Sequence, residues 1–178
     1  AGYTPLRHAA ATGGTIVFPT AHYDLVRVGI GLYGLWPSLE AEQAFKDKMS
    51  LAPALTWKTI IGEIKKLPAG ERVGYDFTET LECDSVLAVC PVGYWHSYRR
   101  SLSSIGRVIV NGKLARVVGR VTMDMITIDV TNIPNVKVGA EVILLGGSVN
   151  ADYLANLTGT SNYEVVTQLN PLIKRAYI

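Results

Sequence analysis

Cysteine is scarce: Cys83 and Cys90 are the only two in 178 residues. Two thiols do not make a disulfide framework, and no His/Cys cluster has the spacing of a zinc site, so no metal is expected. No apolar run approaches the roughly 20 residues of a membrane span. The opening stretch AGYTPLRHAA has neither the charged leader nor the long apolar core of a secretory signal. A cytoplasmic location is therefore expected. The sequence also has no starting Met, which suggests a piece of something longer. Charge of either sign is thin: 17 basic against 15 acidic residues leave a formal +2. That balance argues against a dedicated nucleic-acid binder, which carries a basic face. Phenylalanine is rare as well, three against nine tyrosines. What is plentiful is apolar: 48% of the chain is hydrophobic, which excludes wholesale disorder. The length suits one ordinary domain, or one domain and a fragment of another.

The chain changes character near residue 50. From Thr15 to Leu35 the runs TIVF and LVRVGIGLYGL are apolar, β-rich and bounded by Gly and Pro. Such runs suit strands buried on both faces, as in a parallel sheet. Leu39–Lys48 has helical composition and follows Pro37-Ser38, a suitable helix entrance. Two strands do not make a stable α/β domain, a second sign of missing sequence. From Pro53 onward the pattern is mostly β. TWKTIIGEIKKL closes on the turn Pro68-Ala69-Gly70-Glu71, and SVLAVCPVGY is a buried-strand candidate. RVIV-NG-KLARVVGRV predicts a hairpin, because Asn111-Gly112 is the dipeptide a two-residue type I′ turn prefers. MITIDV alternates, and EVILLGG follows a turn at Val138-Gly139. Many short strands with regular turns predict a small barrel or sandwich. Ser161 and Glu164 form a capping box that opens the helix NYEVVTQLN, which Pro171 ends.

Several residues invite chemistry, each with a plain structural alternative. Arg27 lies inside an apolar run, where a charge is costly unless paired or turned to a ligand. Either it caps a carboxylate such as Asp24 at a strand edge, or it faces an anion or ring nitrogen. Gly29 beside it lets backbone N–H groups approach a phosphate. Tyr75 and Tyr94 each follow a glycine at the end of an apolar run. Their hydroxyls either point to solvent or act on a substrate. A tyrosine acting as a base needs its pKa, ordinarily about 10, lowered by positive charge. Arg99, Arg100 and Arg120 are candidate sources. Met123 and Met125 flank Asp124 and read as core filler or ligand contacts. His8, His22 and His96 have no partner motif and read as surface groups, and no Ser-His-Asp or Cys-His arrangement is present.

Taken in order, six stretches resemble the alanine racemases, a pyridoxal-phosphate family: HAAATGG, VRVGIGLYGLWPS, ALTWKTIIGEIKKLPAGERVGY, PVGY with RR shortly after, GRVTMDM and GTSNYEV. Each is unspecific alone, but together, in this order and spacing, they run from His8 to Tyr177. The resemblance implies a mainly β fold: a small C-terminal β-barrel domain over 51–178. Before it, over 1–50, lies a remnant, the last strands and helix, of a TIM-type α/β barrel that binds the cofactor. By resemblance Thr12 contacts the cofactor phosphate, Gly29 and Ile30 cradle it, and the hydroxyl of Tyr163 reaches it. Arg27 matches the arginine facing the pyridine nitrogen. A guanidinium does not readily give up its proton, so that nitrogen stays unprotonated and the electron sink is weakened.

The resemblance makes Tyr75 the catalytic base for the L-enantiomer and Met123 a backbone contact of the substrate carboxylate. Tyr94, Arg100 and Asp124 line the way into the active site. The implied assembly is a head-to-tail homodimer in which Tyr75 and Met123 serve the partner's cofactor. The implied activity is two-base α-proton transfer between L-alanine and D-alanine on a pyridoxal phosphate aldimine, supplying D-alanine for peptidoglycan. Two departures stand out. WHSY follows Tyr94 where the family has a small residue, then Asp and Gly, so His96 replaces that Asp. The lysine that binds the cofactor covalently has no match, and neither does the barrel's substrate-carboxylate arginine, so the isolated chain is expected to be inactive. The alternatives are a serine or broad-specificity racemase of the same family, including the form attached to a membrane domain, and a non-catalytic dimerisation or binding β-domain.

Overall fold

The computed structural model describes residues 2–177. The chain divides into two compact units, Ala1–Leu55 and Thr56–Ile178.

In the first unit, helix α1 spans Thr12–Val17 and helix α2 spans Leu39–Phe45. The α2 helix starts where the sequence places it: Ser38 Oγ accepts from Ala41 N at 3.2 Å, and Glu40 and Glu42 sit in the first turn. The two strands expected here are not formed. TIVF falls in and just after α1, and residues 30–33 make a 3-10 turn. Among the described residues, parallel pairing is confined to a single bridge, Ala11 with Arg27. β-branched composition favours a strand only when neighbouring strands complete the ladder. Here local bonds win instead: both the N–H and the hydroxyl of Thr15 donate to Ala11 O at 2.8 Å. Gly34, at φ +70°, then turns the chain so tightly against Ala52 that no side chain would fit.

The second unit is mainly β, as expected. Its strands are β1 (Trp57–Ile60), β2 (Glu63–Leu67), β3 (Arg72–Val73), β4 (Glu79–Thr80), β5 (Ser85–Cys90), β6 (Arg107–Val110), β7 (Lys113–Val117), β8 (Ile126–Asp129) and β9 (Glu141–Leu145). Two helices follow, α3 (Ala151–Thr158) and α4 (Asn162–Thr167). Seven strands form one antiparallel sheet in the order β1-β9-β6-β7-β8-β5-β2. Its two outer members are halves of one run. Between them Ile61 N donates to Ala140 O at 2.9 Å and Gly62 N to Val89 O at 2.8 Å. The run 57–67 therefore pairs with one edge of the sheet through its first half and with the other through its second. That continuity closes the sheet into a barrel and removes its open edges.

The β6–β7 hairpin has the expected two-residue turn. Val110 pairs with Lys113, and Asn111 and Gly112 adopt φ +48° and +75°. Inward positions alternate along the strands, burying Val108, Val110, Ile126, Ile128, Val142 and Leu144 completely. Each such side chain contributes about 1.5–3 kcal/mol relative to exposure. Helix α4 begins at the expected cap, with Ser161 Oγ accepting from Glu164 N at 3.3 Å. Among the described residues, no helix is long and apolar enough to cross a membrane.

Candidate active site

Tyr75 lies in the loop 74–78 that joins β3 to β4. The loop bends sharply: Gly74 has φ +83°, and Asp76 and Phe77 have φ +60° and +50°. Glycine adopts this region freely, whereas each residue with a side chain stores about 1–2 kcal/mol there. At the base of the hairpin Val73, Leu81, Leu87 and Val118 form a buried apolar cluster with Leu67 packed against it. Glu79, paired with Val73 across the hairpin, has a side chain only 14% exposed. Its carboxylate accepts from Ser104 Oγ at 2.7 Å, from Gly119 N at 2.6 Å and from the Arg116 guanidinium. Burial pushes this carboxyl up, but the three donors outweigh burial and hold it below the usual carboxylate range.

Two further loops meet beside Tyr75. Tyr94 N donates to Thr122 O at 3.0 Å and Trp95 N to Met123 O at 2.9 Å. This approach requires glycine at 93, since a Cβ there would stand 2.2 Å from Thr122 O and 2.6 Å from Met123 C. His96 Nδ1 accepts from Gly93 N at 3.2 Å and so holds the turn. Thr122 Oγ1 accepts from Met125 N and donates to Met125 O, both at 3.0 Å, making 122–125 a tight turn. Met123 and Met125 consequently project outward, Met123 at 54% exposure, and neither is core filler.

Tyr75, Tyr94, Arg100, Met123 and Asp124 all line one open concavity of about 580 Å³. Asp76 and Arg120 line it too and form an ion pair at 2.7 Å. Of the three arginines considered near the tyrosines, Arg100 and Arg120 are there. Arg99 instead reaches α4, with Nη2 2.7 Å from Glu164 Oε1. Tyr75 is 69% exposed and Tyr94 47%, so neither ring is sealed in the core.

The first unit gathers a second set. Thr12 is 4% exposed, and its Oγ1 accepts from Gly29 N at 3.1 Å and Gly31 N at 3.3 Å, with Ile30 between them. Gly29 has open space where a Cβ would be, while one on Gly31 would crowd Thr12 and Val28 at 3.0 Å. Arg27 is exposed rather than set in a buried strand. It does not cap Asp24, which Arg7 holds at 3.1 Å; its Nε donates to His8 Nδ1 at 3.0 Å. His22 Nε2 is 2.9 Å from Thr15 O. All three histidines thus bond to the chain, His8 at an exposed position and His22 and His96 half-buried. Tyr163 lies in the second unit, on α4, partly exposed. The sequence reading missed Asp76, Glu79, Thr122 and the structural need for Gly93. Only Gly93 had a local signal, its place just before Tyr94.

Residues 54–177 match the family model of the alanine racemase C-terminal domain, and residues 1–37 that of the alanine racemase N-terminal domain. An alanine racemase of Leptospira interrogans is 42% identical over 186 residues, covering 99% of this chain and 48% of the relative. One from Desulforamulus reducens is 45% identical, covering 97% and 46%. The solved alanine racemase of Clostridium difficile 630 superposes with a TM-score of 0.91 at 33% identity, covering 97% of this chain and 45% of that one. The Bartonella henselae enzyme, described with covalently bound pyridoxal phosphate, gives 0.84 at 30% identity, covering 95% and 46%. The chain spans about half the length of the curated relatives it matches. With the C-terminal domain model covering well over half its residues, the chain belongs to the alanine racemase family.

Proposed function

We propose that this chain forms the C-terminal part, 51–178 with the barrel remnant 1–50, of a cytoplasmic, pyridoxal-phosphate-dependent racemase that interconverts L-alanine and D-alanine for peptidoglycan. The observation that carries the reading is the convergence of Tyr75, Tyr94, Arg100, Met123 and Asp124 on one concavity. Three separate connections of the barrel unit supply them: β3–β4, β5–β6 and β7–β8. In this reading the Tyr75 hydroxyl exchanges a proton with the α-carbon on the L face. The guanidinium groups of Arg100 and Arg120 supply positive charge to the concavity, part of which Asp76 already neutralises. The backbone of Met123 orients the substrate carboxylate, and Tyr94, Arg100 and Asp124 control entry. By the family resemblance Tyr75 and Met123 serve a partner subunit in a head-to-tail homodimer, and the open concavity leaves room for one.

The residues of the first unit fit the cofactor. Gly29 N and Gly31 N donate to Thr12 Oγ1, which gathers hydroxyl and backbone N–H groups at one spot, and nothing lies within 4 Å of where a Cβ on Gly29 would stand, which leaves room for an anion. Thr12, Gly29 and Ile30 would hold the phosphate. His8 takes the Nε of Arg27, leaving the terminal Nη groups as donors to the ring nitrogen. The chemistry bound pyridoxal phosphate supplies is an electron sink that acidifies the α C–H bond. The covalent lysine is expected outside this chain, so the 178 residues alone are expected to turn over no substrate.

The test is Tyr75→Phe in the two-domain protein. Loss of a positioned base is expected to cost about 10²–10⁴-fold in rate, with cofactor absorbance retained. Near wild-type racemisation in both directions would refute the role. Rates on alanine, serine and lysine assign the substrate.

A further inference from the structure

We propose that Glu79 is a positioning residue for Tyr75, a carboxylate clamp that sets the distance between the Tyr75 loop and the loop carrying Met123. The proposal rests on the racemase reading above. Its grounds are geometric. Glu79 sits at the foot of the five-residue loop 74–78, opposite Val73 in the hairpin. Its side chain draws donors from three places distant in sequence: the Arg116 guanidinium at the end of β7, the Ser104 hydroxyl and the Gly119 N–H. Gly119 immediately precedes Arg120, the ion-pair partner of Asp76 next to Tyr75. Ser104 N in turn donates to Gly119 O at 3.0 Å, so two of the three donor residues are themselves linked.

The two backbones meet without room for slack. A Cβ on Gly119 would stand 3.0 Å from Val73 O, and one on Gly74 would stand 3.0 Å from Arg120 N. One carboxylate therefore ties both walls of the concavity to the barrel. The Tyr75 loop has no long element of its own, since β3 and β4 are two residues each. Without the clamp, its register against residues 119–124 depends on the hydrophobic cluster, the close backbone packing at Gly74 and Gly119, and the Arg120–Asp76 pair. Displacing an oriented catalytic group by an ångström costs up to about 100-fold in rate.

The experiment compares Glu79→Gln and Glu79→Leu in the two-domain protein. Gln keeps acceptor capacity for Ser104 and Gly119 but no charge for Arg116, whereas Leu removes every acceptor. Both are measured for racemisation with α-deuterated L- and D-alanine, and for amide hydrogen exchange over 74–78. The expected result is a rate loss of about 10- to 100-fold for Leu, with kcat falling more than KM changes, and partial rescue by Gln. The isotope effect should rise for the L-substrate and fall for the D-substrate, because only the proton transfer at Tyr75 has slowed. Exchange over 74–78 should quicken. Isotope effects that stay put, or change equally in both directions, overturn the positioning role even where exchange quickens. A wild-type protein without racemase activity removes the functional reading itself. In that case faster exchange in Glu79→Leu supports the clamp, and unchanged exchange overturns it.

Discussion

Replacing Gly93 by alanine tests the loop packing that builds the concavity. The added methyl would arrive 2.2 Å from Thr122 O, 2.6 Å from Met123 C and 2.6 Å from Asp124 N. These are backbone atoms that cannot swing aside, so one loop must retreat by about 1 Å to reach normal packing distance. Over-packing of this kind costs about 1–3 kcal/mol. The retreat also strains the bonds from Tyr94 N to Thr122 O and from Trp95 N to Met123 O, each contributing about 0.5–1.5 kcal/mol. Together these give a loss of about 2–6 kcal/mol, or a drop of about 4–24 °C in Tm for a chain of this size. Thermal unfolding followed by circular dichroism measures it. The control is Gly62→Ala, whose methyl would lie at an ordinary 3.6 Å from Val89 O and should change stability by less than about 1 kcal/mol. If both variants melt within about 2 °C of the wild type, the loops do not meet as described and the concavity is misassembled. In the two-domain protein, Gly93→Ala should also depress racemisation, since it displaces Tyr94 and Met123 together.

Two further outcomes follow from buried groups. Burial pushes the Cys90 thiol up to about 12, whereas Cys83 is exposed. A thiol reagent at pH 8 should therefore modify one cysteine quickly in the native chain and the second only after denaturation. Equal rates for both would contradict the packing of β5. Glu79 is held below 4.5, its value as a free side chain, so the folded state binds its proton less readily than the unfolded state. Its stabilisation is thus present above pH 4.5 and lost as the pH falls through the folded value. The stability gap between wild type and Glu79→Gln should shrink on acidification below pH 4.5, read by urea unfolding at several pH values. A gap that widens would refute the assigned direction.

Legibility in the sequence tracked the range of the interaction. The β6–β7 hairpin was readable because Asn111-Gly112 accepts positive φ within the turn itself. The α4 start was readable because Ser161 bonds three residues ahead, to Glu164 N. Alternation in MITIDV predicted β8 because a period of two buries Ile126 and Ile128 whatever the partner strand is. The apolar runs of the first unit misled because their strands need neighbours to complete the ladder, and α1 forms from bonds made within one turn.

By itself the sequence determined the class of the second unit, its turns and caps, and, through ordered motifs, a family resemblance. Only the tertiary structure decided that one bent run, 57–67, closes the barrel by bonding to both edges of its sheet. Only it decided which arginines stand near Tyr75, that His8 takes Arg27, and that Glu79 gathers donors from 25 to 40 residues away. Those are contacts between residues far apart in sequence. Periodicity and turn chemistry act over a few residues, whereas the closeness of Gly93 to Thr122, or of Gly74 to Gly119, comes into being only when the barrel has brought its loops together.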